Sequence, residues 1–157
     1  MKIIDNFLPA DEHRKMHDLL FSDQFPYFFQ NAVATKEDTD YFYFTHMIYD
    51  VHAPMSSFFD SIHGILNRLD VKALRRAKVN CYPKTEKLLK HGVHKDYPFK
   101  HKGALYSINT CNGGTYIGDK FIPSVANRML LFDSSQKHNS TTCTNAKCRI
   151  NINFNYY

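Results

Sequence analysis

The chain has 157 residues and a mass of 18.3 kDa, which fits a single domain spanning residues 1–157. Hydrophobic residues make up 43% of it and aromatic residues 15%, enough for a packed core, and this excludes disorder as the main state. The net charge of +5 favours an anionic ligand, cofactor or partner. No apolar run approaches the roughly 20 residues of a membrane span. The start of the chain lacks the apolar stretch of a secretory signal, so we expect a cytoplasmic protein.

The N-terminal part of the chain predicts helices and a first strand. Residues 2–7 form a short strand or a connecting segment, and residues 9–21 predict a helix. Pro9 stands near the first turn of that helix and Asp11 follows it, where the helix dipole favours an acid. Met16 and the two leucines that follow it have helical spacing.

Four further segments complete this region. We expect residues 25–29 in the core and residues 31–40 in a polar loop that could close over a peptide. Residues 41–49 predict a strand, and residues 55–69 predict a second amphipathic helix.

From residue 77 onward the pattern changes to short strand-like runs that alternate with turns. The predicted strands cover residues 77–82, 92–97, 104–109, 114–118, 121–124, 127–133 and 148–157. Their spacing is typical of antiparallel strands in a sandwich or barrel. The fold class is therefore α+β, with a helical flank and first strands over residues 1–76 and an all-β core over residues 77–157.

The last predicted strand alternates strictly between polar and apolar residues. One face carries Arg149, Asn151, Asn153 and Asn155, and the other carries Ile150, Ile152, Phe154 and Tyr156. The polar face either lines a cavity or meets water.

The four cysteines predict reduced thiols. They are Cys81, Cys111, Cys143 and Cys148. Because no two have C-x-x-C spacing, a zinc ribbon is disfavoured, and a disulfide framework suits smaller secreted domains.

The triplet His94-Lys95-Asp96 is the first candidate for chemistry. On a strand, residues i and i+2 project to the same side, so His94 and Asp96 could share a metal ion. Two histidines and one carboxylate leave three positions open on Fe(II). A third ligand would come from downstream, where only His101, in the adjoining turn, and His138 remain. The alternative is an exposed histidine and aspartate on a turn, with His138 at the surface.

Three further side chains could bind an anionic ligand. The guanidinium of Arg149 can grip a carboxylate through two parallel hydrogen bonds, although a cross-strand ion pair is an alternative. The hydroxyls of Tyr82 and Tyr106 could donate to carboxylates of the same ligand, whereas the plainer interpretation of both is an ordinary core aromatic.

Ordered motifs surround these residues. Residues 79–83 read V-x-C-Y-P before the H-x-D triplet, and residues 106–109 read Y-x-[LI]-N before the pair Gly113-Gly114. Residues 128–132 read R-[ML]-[LV]-x-F before His138, and Arg149 follows about ten residues later. In this order the motifs resemble the Fe(II)- and 2-oxoglutarate-dependent oxygenases of the prolyl 4-hydroxylase-like group. The N-terminal half is similar to the flanks of small stand-alone oxygenases of phages and marine bacteria.

The resemblance implies a double-stranded β-helix (jelly-roll) core flanked by N-terminal helices. It also implies Fe(II) on His94, Asp96 and His138, with 2-oxoglutarate held by Arg149, Tyr82 and Tyr106. O2 would be the second cosubstrate, and ascorbate the reductant in vitro. Two departures concern the shape of the pocket: Asn151 stands where related groups carry Ser or Thr, and residues 84–92 lengthen the connection between Tyr82 and His94.

The substrate implied by the resemblance is a prolyl residue in a peptide or protein. A small molecule, such as a free amino acid, is an alternative, and a nucleic-acid base is another that the scattered basic residues do not favour. A different class of function is a catalytically silent jelly-roll binding or assembly module, or a zinc-bound cupin-like protein, which would not need Arg149.

Overall fold

The computed structural model describes residues 1–34 and 41–157. In this part of the chain two α-helices and a short 3₁₀ helix accompany eleven strands. The helices are α1 (Ala10–Leu20) and α2 (His63–Arg68), and the 3₁₀ helix covers Phe59–Ile62. The strands are β1 (Lys2–Ile4), β2 (Phe28–Gln30), β3 (Tyr43–Asp50), β4 (Ala53–Pro54), β5 (Leu74–Pro83), β6 (Lys102–Ser107), β7 (Gly114–Ile117), β8 (Lys120–Pro123), β9 (Arg128–Asp133), β10 (His138–Ser140) and β11 (Cys148–Tyr156).

The strands form two antiparallel sheets. The large sheet has the order β1-β9-β6-β11-β5-β3-β2, with β4 attached to β3, and the small sheet has the order β10-β7-β8. β11 lies at the centre of the large sheet, paired with β5 on one side and β6 on the other. The predicted α+β jelly roll is confirmed. The extent of the single domain, residues 1–157, stays a prediction.

The hydrophobic core lies on the face of the large sheet that the helices cover. Ile152 and Phe154 of β11 are fully buried there, with Met16 of α1 and Ile65 of α2 in the same cluster. The alternation predicted for β11 therefore sends its apolar side chains into this core. Burial of each large aliphatic or aromatic side chain contributes roughly 1.5–3 kcal/mol.

The predicted helix over residues 55–69 is wrong in its first part. The hydroxyl of Ser56 accepts the N–H of Phe58 at 3.1 Å and pairs with Nε2 of His46 at 2.6 Å. Serine side chains that bond to nearby backbone compete with helix formation. The segment therefore begins as a turn, and only residues 59–68 are helical.

Two other predictions also need correction. Of residues 25–29, Phe25 is buried, but Phe28 and Phe29 are 59% and 57% exposed because they lie on the outermost strand of the sheet. Residues 92–97 do not form a strand, since only His94 makes a bridge, to His138. Residues 35–40 of the predicted loop lie outside the described residues.

Two further findings concern the cysteines and the membrane. All four cysteines are free in the structure. Among the residues the structure describes, no helix has the length and apolar character required to cross a membrane.

Candidate metal centre and anion pocket

A pocket of about 340 Å³, counting its mouth, lies between the two sheets. It is lined by Asn80, Tyr82, His94, Leu105, Thr115, Phe132, His138, Ser140, Arg149, Asn151 and Asn153. The polar face of β11 therefore lines a cavity, which was one of the two options that its alternation left open.

His94, Asp96 and His138 come together at this pocket. Their ligand atoms all lie within 4.8 Å of one another, and Nε2 of His138 is 3.9 Å from Oδ1 of Asp96. The backbones of the two histidines are fastened to each other, because each amide donates to the other's carbonyl at 2.9 Å. The structure therefore assembles two imidazoles and one carboxylate without needing residues 92–97 to form a strand.

The surroundings favour the ligating forms of both histidines. Nδ1 of His138 lies 2.9 Å from the carbonyl of Gln136, which places its proton on Nδ1 and turns Nε2 toward Asp96. Burial, helped by the neighbouring His138, lowers the pKa of His94 and favours the neutral imidazole.

The carboxylate of Asp96 is held by three side chains. Nη2 of Arg76 donates to Oδ1 at 2.9 Å, and the amides of Asn155 and Asn153 donate to Oδ2 at 2.8 and 3.3 Å. Burial alone raises the pKa of Asp96, but the charge of Arg76 and these hydrogen bonds outweigh it and hold the pKa below its ordinary range. The group is thus an ionised carboxylate, as a hard metal ion requires.

Sequence reasoning missed Arg76. Its contact with Asp96 depends on the pairing of β5 with β11, where Arg76 stands opposite Asn155. The only indication in the sequence was the alternation of side chains along β5. Counted back from Tyr82 in steps of two, it places Lys78 and Arg76 on the same face as Tyr82.

Arg149 lies in the same pocket and is 1% exposed. It donates from Nη1 to the carbonyl of Thr141 at 3.1 Å and from Nη2 to the hydroxyl of Thr115 at 2.8 Å. Its Nε is buried without a hydrogen-bond partner. In residues 1–34 and 41–157, no carboxylate oxygen lies within 4 Å of its guanidinium, so the predicted alternative of a cross-strand ion pair does not occur there.

A buried cation that lacks an anion is costly. The site therefore suits a ligand that brings a carboxylate to Arg149. Gly113 makes room for this arrangement: a Cβ there would collide with the carbonyl oxygen of Thr142 and come within 3.1 Å of Cδ of Arg149. Lack of space for a side chain thus explains the first glycine of the Gly113-Gly114 pair.

Tyr82 lines the pocket beside Arg149, whose guanidinium carbon lies 5.3 Å from the centre of its ring. Burial raises the pKa of Tyr82, so its hydroxyl keeps its proton and can donate. The ring stacks on Tyr43 at 5.3 Å between centroids.

Tyr106 lies elsewhere, and its predicted role as a cosubstrate ligand is wrong. Its hydroxyl is on the opposite face of the large sheet, 2.7 Å from Nδ1 of His13 and 2.9 Å from Oδ1 of Asn127. The reason is the alternation along β6, which directs its neighbour Leu105 into the pocket.

The residues present fit Fe(II) and 2-oxoglutarate. Two imidazoles and one carboxylate form the facial donor set typical of non-haem Fe(II). The orphaned Nε of Arg149 marks where a second anion would bind in the same pocket.

Comparisons with solved structures agree with this geometry. A prolyl hydroxylase from Trichoplax adhaerens, solved with a fragment of the hypoxia-inducible factor oxygen degradation domain, matches 99% of this chain and 82% of its own length at 17% identity, with a TM-score of 0.69. A 2OG-Fe(II) oxygenase family oxidoreductase from Burkholderia pseudomallei matches 98% of this chain and 83% of its own at 13% identity, with a TM-score of 0.68.

A third similar structure is HygX from Streptomyces hygroscopicus, solved with nickel and 2-oxoglutarate bound. It matches 98% of this chain and 81% of its own at 12% identity, with a TM-score of 0.63. No protein-family model and no curated protein matches the chain. The chain therefore has the jelly-roll fold of the 2-oxoglutarate- and Fe(II)-dependent oxygenases, of the prolyl hydroxylase-like form.

Proposed function

We propose that the protein is an Fe(II)- and 2-oxoglutarate-dependent dioxygenase that hydroxylates a C–H bond. One observation carries this proposal: the two histidines of the triad His94, Asp96 and His138 line the same pocket as a buried arginine that has no carboxylate partner among the described residues. A purely structural role leaves such an arginine unexplained, because burying its charge is unfavourable unless an anion joins it.

The chain's own residues have distinct tasks in this reaction. His94, Asp96 and His138 hold the metal, and Arg149 with the hydroxyls of Tyr82 and Thr115 orients the far carboxylate of 2-oxoglutarate. When bound, Fe(II) and 2-oxoglutarate would supply, together with O2, the oxidising power needed to hydroxylate the C–H bond. Leu105 and Phe132 form the apolar wall of the pocket and exclude water from it.

We propose a prolyl residue in a peptide as the substrate. The motifs in residues 79–83 and 128–132 support this choice, and so does the fold shared with a prolyl hydroxylase that was solved with a peptide fragment. We further propose that Fe(II) rather than zinc is the working metal, with ascorbate as the reductant in vitro.

The test is succinate formation from 2-oxoglutarate with Fe(II), ascorbate and O2, with and without proline-containing peptides. We expect His138→Ala to abolish turnover because it removes a metal ligand, while His63→Ala, at an exposed histidine of α2, leaves it intact. We expect Arg149→Met to raise the KM for 2-oxoglutarate at least about tenfold with little change in the Fe(II) requirement, because a charge-assisted pair is lost.

Three outcomes separate the alternatives. Succinate that rises with the peptides supports the prolyl substrate. Succinate without that rise keeps the dioxygenase and directs the search to small molecules and nucleic acids. Metal binding without any succinate would show a silent binding module instead.

A further inference from the structure

Lys78 is a second cation on the pocket-facing side of β5. Along this strand Arg76, Lys78, Asn80 and Tyr82 alternate with core residues, and Lys78 stands opposite Asn153 of β11. The neighbouring strand β3 places Met47 opposite Lys78 on its other side. Lys78 therefore lies in the middle of the large sheet, on the face that carries the metal triad.

Lys78 lacks a counter-ion in the part of the chain that the structure describes. Its Nζ donates to the hydroxyl of Tyr43 at 3.2 Å, and none of the described carboxylates has an oxygen within 4 Å of it. The two neighbouring arginines are engaged, because Arg75 pairs with Asp50 at 3.2 Å and Arg76 with Asp96 at 2.9 Å.

Burial makes this arrangement unusual. It lowers the pKa of Lys78 to about 8, so the amine is still mostly protonated at neutral pH while it lies largely out of water. A lysine in this state is normally paired with an acid. Here the partner is a phenol, and a phenol brings no negative charge.

Binding of the proposed cofactors does not supply the missing charge. Asp96 carries one negative charge and 2-oxoglutarate two, while Fe(II) brings two positive charges, and Arg76, Lys78 and Arg149 bring one each. The loaded pocket therefore keeps an excess of two positive charges. Because these charged side chains are largely buried, this excess favours a further anion.

We propose that Lys78 and Tyr43 together bind a carboxylate of the substrate, which makes the substrate an acid. This inference rests on the proposed dioxygenase. Tyr43 adds the second donor: burial raises its pKa, so its hydroxyl keeps a proton that it can donate while its oxygen accepts from Lys78. One ammonium N–H and one phenol O–H suit the two oxygens of a carboxylate.

Binding to inactive protein tests this assignment without turnover. The protein loaded with Zn(II) and 2-oxoglutarate is titrated by calorimetry with two matched pairs of probes. One pair is N-acetyl-L-proline and N-acetyl-L-prolinamide. The other is the capped peptide Ala-Pro-Glu-Ala and its Ala-Pro-Gln-Ala counterpart.

We expect the acid of at least one pair to bind about tenfold more tightly than its amide, since a charge-assisted contact is worth about that much. Preference within the first pair indicates a small acid as substrate, and preference within the second indicates an acidic peptide. Lys78→Met should abolish the preference and Lys78→Arg should retain most of it. Lys120→Met, at an exposed lysine of β8, should leave it unchanged.

Equal binding of acid and amide in both pairs, or no binding of any probe, would overturn the inference. A preference that persists in Lys78→Met would overturn it as well, provided that thermal unfolding shows the variant to be folded. Substrate-free succinate formation by the wild type is measured in parallel. If succinate forms while the preference is missing, this inference fails alone, whereas absence of both removes the dioxygenase too.

Discussion

The two faces of β11 divide the molecule into two kinds of environment. Ile150, Ile152, Phe154 and Tyr156 are buried among apolar side chains of the helices and neighbouring strands. Arg149, Asn151, Asn153 and Asn155 are equally buried, yet they lie among charges and hydrogen-bonding groups. Burial is thus the same on both faces, and its energetic consequence differs.

The difference separates stability from chemistry. On the apolar face, removal of water stabilises the fold, roughly in proportion to the buried area. On the polar face it destabilises, because cations such as Arg149 and Lys78 lose hydration that the protein only partly replaces. A fold can tolerate this loss of stability at a binding site, because a ligand that binds there later offsets it. We therefore expect substitutions on the two faces to act on different measurements.

The largest effect on stability should come from the apolar face. We expect Phe154→Ala to lower the free energy of unfolding by about 3–5 kcal/mol, because it leaves a cavity in the core. Asn153→Ala, one residue away on the other face, should cost less than about 1 kcal/mol, since its amide makes only a 3.3 Å bond to Asp96. Urea unfolding of both variants measures the difference, and similar costs would contradict the division.

A smaller effect of opposite sign should come from the polar face. We expect Lys78→Met to raise the free energy of unfolding by about 1–3 kcal/mol at pH 7, because it removes a charge that folding desolvates. The pKa of Lys78 is lower in the folded protein, about 8, than in the unfolded chain, about 10.4. Below the folded value the wild type carries the full penalty, and it recovers that stability as the pH rises from about 8 to about 10.4.

Urea unfolding of wild type and Lys78→Met at several pH values checks this sign. The gain from the substitution should shrink steadily through that interval and vanish above it. A gain that does not depend on pH would show that better packing of methionine, rather than the charge, is its cause.

The smallest effect should distinguish the two tyrosines. We expect Tyr106→Phe to cost about 1 kcal/mol, because it removes the hydroxyl between His13 and Asn127. It should leave the KM for 2-oxoglutarate unchanged. Tyr82→Phe is the matched variant, and it should raise that KM because the Tyr82 ring lies beside Arg149 in the pocket and its hydroxyl is a donor that the variant lacks. A higher KM for 2-oxoglutarate in Tyr106→Phe would show instead that Tyr106 contributes to the pocket.

Much of this architecture is predictable from local patterns. Strict alternation identified β11 and both of its faces, because period 2 is a property that a strand imposes directly on the sequence. The family resemblance named His94, Asp96, His138 and Arg149. The structure brings the first three within 4.8 Å of one another and places Arg149 in the pocket that both histidines line, while their roles stay a prediction.

The rest depends on which strands pair and in what register. Arg76 meets Asp96 because β5 pairs with β11, and no local pattern reports that pairing. Tyr106 was assigned to the pocket by its motif, although a shift of one position along β6 decides which face a side chain takes. The helix predicted over residues 55–69 began too early because the competing hydrogen bond from the N–H of Phe58 to the hydroxyl of Ser56 leaves no trace in hydrophobic spacing.

The reciprocal backbone hydrogen bonds between His94 and His138 have a consequence for how a metal ion could be exchanged. Two ligands that lie far apart along the chain are held together by the fold itself, so the entropy of closing the long loop between them is not left for the metal to overcome. In zinc fingers the free energy of metal binding offsets that entropy, and loss of the metal unfolds the domain. In the proposed metal centre an ion can leave and another can enter while the backbone of the site stays in place, so we expect a mismatched metal to be replaceable without a cycle of unfolding and refolding.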